Sequence, residues 1–132
     1  MIENINNIKE IEQFILKYFP NFSITNDPFE KCYIYKIKNK NIGFISYSII
    51  YERAELNYIV VSEDYRLKGI GQKLLNFCIE DLKKNKVKAI SLEVNKNNKA
   101  VNFYLKNNFK IEAIRKQYYG KEDAYLMIKK VI

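Results

Sequence analysis

Between residues 59 and 72 the chain reads Ile59-Val60-Val61-Ser62-Glu63-Asp64-Tyr65-Arg66-Leu67-Lys68-Gly69-Ile70-Gly71-Gln72, a β-branched run that enters a glycine-bearing loop and leaves it as a helix. That order builds an anion cradle. Glycines at 69 and 71 let the backbone come close to a ligand, the first N–H groups of the helix point at it, and the helix dipole favours negative charge. Arg66 and Lys68 precede the glycines and reinforce the preference, so pyrophosphate is a natural occupant. The loop has neither the Gly-Lys-Ser/Thr ending of nucleotide triphosphatases nor the three-glycine spacing of dinucleotide folds, which sets both aside.

The residue inventory narrows the chemistry further. The chain contains no histidine, which removes Ser-His-Asp and Cys-His catalysis and the usual zinc sites together. Any acid or base must be Glu, Asp, Tyr, Lys or Cys. Cys32 and Cys78 fall in different predicted elements with no second ligand pair nearby, so they read as inert core thiols, and neither a metal site nor a disulfide is expected.

The elements that must hold the cradle are legible from periodicity. Ile8, Ile11, Ile15, Tyr18 and Phe19 predict an amphipathic helix over residues 5–19, ended by Pro20. Asn26-Asp27-Pro28-Phe29 predicts a turn followed by a short helix. Residues 32–37, 42–51 and 54–61 are rich in Ile, Val, Tyr and Phe and are split by polar turns, the pattern of an antiparallel three-strand meander. Ile70, Leu74, Leu75, Cys78, Ile79 and Leu82 return to helical spacing, ending at Lys83-Lys84-Asn85-Lys86. A strand over 89–94, a short helix around Ala100, Val101, Tyr104 and Leu105, and strands over 109–115 and 124–132 complete a mixed α+β chain.

With 132 residues, 48% apolar and 29% charged, residues 1–132 read as a single folded domain. The longest apolar run, 42–51, is far too short to span a bilayer, and residues 1–5 do not begin as a secretory signal does, so a cytoplasmic protein is expected. The net charge of +8 is nearly all lysine in a chain crowded with Asn and Ile, so it carries little weight as a nucleic-acid signal.

Arg66-Leu67-Lys68-Gly69-Ile70-Gly71 matches Gln/Arg-x-x-Gly-x-Gly/Ala, and the chain here resembles the GNAT superfamily of acyl-CoA-dependent N-acetyltransferases. Leu92-Glu93-Val94, then Asn97 or Asn98, then the run from Ala100 to Phe109 with Tyr104 look like that family's second signature. The resemblance covers almost everything after residue 40. It implies a GNAT fold, a twisted mixed central sheet with a V-shaped splay flanked by helices. Its first strand is expected to be missing or reduced, because residues 1–5 are short and polar.

The resemblance also implies roles. The backbone of Ile59, Val60 and Val61 would pair with the pantetheine of acetyl-CoA, and Arg66, Leu67, Lys68, Gly69, Ile70, Gly71 and Gln72 would wrap its pyrophosphate. Asn97 or Asn98 would help hold the cofactor. Tyr104 would be the general acid beside the thioester sulfur. An amine attacks only when neutral, and Glu93, in the otherwise apolar strand Ile90-Ser91-Leu92-Glu93-Val94, is the proposed base, since burial there would raise its pKa. Glu55 and Glu63 are weaker alternatives. Attack would be direct, with no covalent enzyme intermediate.

Arg115, Tyr118-Tyr119, Glu122-Asp123-Ala124 and Met127 look like the pattern of protein N-terminal acetyltransferases, and within that group the carboxylate of Leu92-Glu93-Val94 and the short chain most resemble the RimI type that acts on a ribosomal-protein alanine. By that resemblance Tyr118 and Tyr119 would line the peptide groove and the partner would be a protein N-terminus, such as that of a ribosomal protein, with no membrane and no direct nucleic-acid contact. An acceptor that is a small-molecule amine or a protein lysine is the alternative within the fold. A non-catalytic basic module for RNA or a ribosome is the alternative outside it.

Overall fold

In the computed structural model the described residues are 1–5, 9, 11–22, 27–120 and 122–132, without the side chains of Tyr118 and Tyr119. Ten elements follow in the order β1 (Ile2–Asn4), α1 (Glu12–Tyr18), β2 (Glu30–Ile37), β3 (Lys40–Ile50), β4 (Arg53–Val61), α2 (Ile70–Lys84), β5 (Ala89–Asn95), α3 (Ala100–Lys106), β6 (Lys110–Tyr119) and β7 (Glu122–Lys130). The strands form one sheet in the order β1-β2-β3-β4-β5-β7-β6. The meander of β2, β3 and β4 is antiparallel as predicted, and β4 beside β5 is the parallel pair.

That parallel pairing is brief. It holds Arg53, Ala54 and Glu55 against Ala89, Ile90 and Ser91 and then stops, while β4 stays paired to β3 as far as Val61 and β5 to β7 as far as Asn95. The cause lies in β4. Its register with β3 shifts so that Ser46 faces Tyr58 and Tyr47 faces Leu56, leaving Asn57 as an extra residue. A bulge of this kind bends and twists its strand, and β4 parts from β5 at once. The sheet opens into the V expected of the fold.

Each face carries its own core. Under α2 lie Ile45, Tyr47, Leu74, Leu75, Cys78, Leu82, Ile90 and Leu92, together with Tyr104 of α3. Under α1 lie Ile11, Ile15, Phe22, Ile34 and Phe44. Alternation along β5 buries Ile90, Leu92 and Val94 and leaves Ser91, Glu93 and Asn95 half-buried on the opposite face. The ends of α2 and α3 each use a left-handed residue followed by a buried apolar one. Lys86 (φ 57°) precedes Val87, whose N–H reaches Leu82 O at 2.9 Å, and Asn108 (φ 68°) precedes Phe109, whose N–H reaches Tyr104 O at 3.0 Å. The second stop seats Phe109 against the Tyr104 ring, centroids 5.5 Å apart.

The C-terminal half of α2 is fastened to the sheet through Asp81. Its Oδ2 accepts from Lys31 Nζ at 2.9 Å and from the Tyr47 hydroxyl at 2.7 Å, and its Oδ1 accepts from Asn85 at 3.1 Å. Burial acts to raise the carboxyl pKa, but these hydrogen bonds and the Lys31 charge outweigh it and hold it below the ordinary value. A lowered pKa stabilises the fold above the unfolded value of about 3.9, and that increment is lost as pH falls through the folded value. Asp81→Asn should therefore unfold about 1–3 kcal/mol more easily at pH 7. The gap to wild type should shrink in urea melts at pH 3, and a gap of equal size at both pH values would refute the account.

Three local expectations need correction or limits. β1 is present but reduced to three residues, paired with β2. The α-helix expected over 5–19 starts only at Glu12, and Ile8 of its stripe lies outside the described residues. The short helix expected after Asp27-Pro28-Phe29 is instead the start of β2. Asp27 Oδ1 accepts the Phe29 N–H at 2.9 Å, closing the turn, and Glu30 already pairs with Ser48, so the sheet ladder takes the chain. Asn26 of that turn lies outside the described residues. Among the described residues no helix is long and apolar enough to cross a membrane.

Candidate active site

The splay leaves the backbone edge of β4 beyond Glu55 with no strand beside it, and on the α2 side of that edge lies a cleft of about 810 Å³. Ile59, Val60 and Val61 form one wall. Arg66, Leu67 and Gly69 of the loop and Ile70, Gly71 and Gln72 of α2 form its end, and Asn98, Phe103 and Tyr104 close the far side. The sequence-predicted cofactor residues thus meet in one cleft, except Lys68 and Asn97, which do not line it.

Local chemistry explains the cradle. Gly69 begins α2 at φ 79°, a left-handed conformation that side chains resist. No side chain caps the helix, so its first N–H groups remain available at the cleft. At Gly71 a Cβ would stand 3.7 Å from Val61 and 3.9 Å from Phe103, two walls of the cleft, so a longer side chain would grow into the space. The loop itself contains an unpredicted 3-10 turn at Glu63–Tyr65. Its cations are held on aromatic rings: the Arg66 guanidinium lies 5.8 Å from the Tyr18 ring centroid while its Nε donates to Val61 O at 3.0 Å, and Lys68 lies 5.4 Å from that of Tyr65, joined there by Lys40 of β3 at 5.7 Å.

Tyr104 lines the cleft with its ring packed between Phe103 and Phe109. Burial pushes its phenol up to about 12, and no hydrogen bond contributes to that shift. Asn98 Oδ1 accepts the Ala100 N–H at 2.8 Å and so tightens the start of α3, whereas Asn97 is turned to the β5 end, its N–H on Asn95 Oδ1 at 2.8 Å.

Glu93 stands in a second cleft of about 540 Å³, on the α1 face, with Asp27, Glu30, Glu55, Asn57 and Tyr58. Its Oε1 meets Arg115 Nη2 at 3.1 Å, and its Oε2 is sealed from solvent with no hydrogen-bond partner among the described residues. The two sequence-predicted catalytic residues therefore line separate clefts, one on each face of the sheet, beside the gap where β4 and β5 part. Cys78 is fully buried and Cys32 partly so, and burial raises both thiols, Cys32 to about 12. Both are protonated core thiols.

The sequence profile of the Acetyltransferase (GNAT) family matches residues 2–109. The chain belongs to this family. It is 34% identical over 93 residues to the [ribosomal protein bS18]-alanine N-acetyltransferase of Escherichia coli K12, a match covering 67% of this chain. The match spans 63% of the relative's length. The crystal structure of the ribosomal-protein-S18-alanine N-acetyltransferase from E. coli superposes with a TM-score of 0.86 over 99% of this chain and 93% of that one, at 23% identity. Streptothricin acetyltransferase A of Bacillus subtilis is 31% identical over 118 residues, covering 83% of this chain and 68% of that protein. An aminoglycoside 6′-N-acetyltransferase complexed with coenzyme A shares the fold at a TM-score of 0.85 and 16% identity, covering 100% of this chain and 97% of that one.

The GNAT frame also shows what sequence reasoning missed. Glu122 and Asp123 read as part of a peptide-substrate pattern, yet their carboxylates bind the chain itself. Asn95 Nδ2 donates to Glu122 Oε2, the Gln117 N–H donates to Asp123 Oδ1 at 3.0 Å, and Lys96 pairs with Asp123 at 3.8 Å. They clasp the β6–β7 hairpin to the turn that starts α3. Asn57, Glu30 and Asp27 of the second cleft carry no local sequence signal; the β4 bulge and the β2–β3 register bring them together. The side chains of Tyr118 and Tyr119 lie outside the described residues.

Proposed function

We propose that this GNAT chain transfers an acetyl group from acetyl-CoA to a primary amine, and that the acceptor is the N-terminal α-amine of a protein, of the ribosomal-protein alanine type. The observation that carries the reading is the pair of clefts on either face of the sheet, adjoining the gap between β4 and β5. One has the cradle and open strand edge suited to a pyrophosphate-linked pantetheine. The other has the carboxylates suited to an ammonium group. Likeness to the E. coli [ribosomal protein bS18]-alanine N-acetyltransferase favours the peptide acceptor.

In this reading the first turn of α2 binds the pyrophosphate through backbone N–H groups, and the β4 edge from Ile59 to Val61 pairs with the pantetheine amides. Acetyl-CoA supplies the activated acyl group. Glu93 takes the proton from the amine as its nitrogen bonds to the thioester carbonyl carbon, the C–S bond breaks, coenzyme A leaves as its thiolate, and Tyr104 donates a hydrogen bond where negative charge develops. Much of the acceleration would come from holding the two reactants together across the splay. An α-amine, with a pKa of about 7.7–8.0 against about 10.4 for lysine, asks less of such a base.

A second acceptor class, a small polycationic amine, is favoured by the carboxylates of Asp27, Glu30, Glu55 and Glu93 in one cleft and by likeness to streptothricin acetyltransferase A. Acetyl-CoA is mixed with the protein, a peptide bearing an N-terminal Ala and an internal Lys, and streptothricin, and the products are mapped by fragment mass spectrometry. Acetyl on the α-amine is expected. Acetyl on streptothricin alone would move the acceptor to the small-molecule class, and acetyl on Lys alone to protein side chains. No transfer to any of the three would overturn the peptide reading.

A further inference from the structure

Gln72 lies in the first turn of α2 and lines the first cleft, yet its side chain has little left to offer a ligand. Its Nε2 donates to Asn107 Oδ1 at 2.7 Å and to Asn76 Oδ1 at 2.8 Å, and its Oε1 accepts from Asn107 Nδ2 at 3.1 Å. Both amide hydrogens are spoken for. Asn107, the residue that ends α3, returns the bond and also donates Nδ2 to Phe103 O at 2.9 Å, while its own carbonyl accepts Lys129 Nζ of β7 at 2.9 Å. One half-buried residue thus joins α2 and α3 through its side-chain amide and β7 through its backbone carbonyl. Among the described residues this reciprocal pair is the only side-chain hydrogen bonding that links α2 to α3 or its cap.

The two helices it joins both line the cleft, α2 at its end and α3 on its far side. α2 brings the cradle, α3 brings Phe103 and Tyr104, and the walls come together where Gly71 faces Phe103. A shift of α3 along or away from α2 would change that gap and move the Tyr104 hydroxyl relative to the cradle. Polar amides paired in two directions fix spacing and rotation more tightly than apolar contact does, because both bonds weaken steeply with misalignment.

We propose that Asn107 is a positioning residue for acetyl-CoA, setting the distance between the α2 cradle and the α3 wall through its paired amide with Gln72. The inference rests on the reading that this cleft holds acetyl-CoA. Asn107→Ala and Gln72→Ala should each weaken acetyl-CoA binding about tenfold in isothermal titration, and the double variant should lose no more than either single, since both remove one shared link. The exchange Gln72→Asn with Asn107→Gln keeps the total side-chain length and every donor and acceptor, and it should recover most of the affinity.

Acceptor KM is the contrasting readout. It should stay within about twofold of wild type, whereas general loosening of the fold would raise it together with the acetyl-CoA Kd. Variants that lower the melting temperature but bind acetyl-CoA as wild type does would overturn the inference, as would additive losses in the double variant or an exchange pair no better than the singles. Absence of acetyl-CoA binding by wild type itself would instead overturn the reading on which the inference rests.

Discussion

Glu93→Gln is expected to lower kcat/KM for acetyl transfer by about 10²- to 10⁴-fold, the range that a positioned base contributes. The substitution is nearly isosteric, so the second cleft keeps its shape. What it removes is the capacity to take a proton at Oε2, the oxygen sealed from solvent and left without a partner among the described residues while Arg115 engages Oε1. Acetyl-CoA binding, read by titration, should stay as in wild type because Glu93 does not line the first cleft. The remaining pH dependence of the variant follows the acceptor amine alone, near pKa 7.7–8.0 for a peptide. Glu55→Gln, in the same cleft, is the control and costs less than about tenfold, the penalty of weakening one charged contact. A Glu93 variant within threefold of wild type, or one outdone by Glu55→Gln, would move the base to another group or to a water path.

Tyr104→Phe is expected to lower kcat by about 10²-fold while leaving acetyl-CoA affinity and the melting temperature nearly unchanged. Among the described residues no hydrogen bond contributes to the hydroxyl's shift, so its removal strands no partner there, and the ring keeps its packing against Phe103 and Phe109. A phenol pushed up to about 12 remains protonated throughout the working range. Full transfer of its proton to a thiolate of pKa about 8.5 would run uphill by roughly 5 kcal/mol at 1.36 kcal/mol per unit. In the proposed mechanism Tyr104 therefore acts by donating a hydrogen bond to developing negative charge. Tyr104 accordingly adds no descending limb to the pH profile below about pH 12. A kcat that falls along an ionisation near pH 9 and loses that limb in the Phe variant would contradict this assignment, and so would a Phe variant with wild-type kcat.

Much of this was legible along the chain because the signals are local. The cradle is a contiguous segment whose glycines and following helix do their work within a few residues, and the alternation of 89–94 and the 3.6-residue spacing of 70–82 each bury one face whatever the rest of the molecule does. The absence of histidine needs no structure at all. Local signals also misled where a ladder competed: the turn at Asp27–Phe29 could have opened a helix, but the strand partner offered by β3 fixed it as the start of β2.

The sites themselves depend on pairings between distant segments. Glu93 and Tyr104 are close in sequence and were read as one pair, yet strand alternation sends Glu93 to the α1 face while the turn into α3 carries Tyr104 to the α2 face, so they line two clefts. Glu30, Glu55 and Asp27 join Glu93 only because β2, β3 and β4 pair in one particular register and β4 bulges at Asn57. Glu122 and Asp123 look free in sequence and are consumed by Asn95, Lys96 and Gln117 once the hairpin closes. Gln72 likewise reads as a ligand contact until Asn107, thirty-five residues on, takes its amide. The family, the elements and the cradle follow from residue order, because each is written in neighbouring residues. Which carboxylates face one another and which amides pair across the cleft depend on the folded chain, because register, bulge and splay are properties of paired strands and not of any one of them.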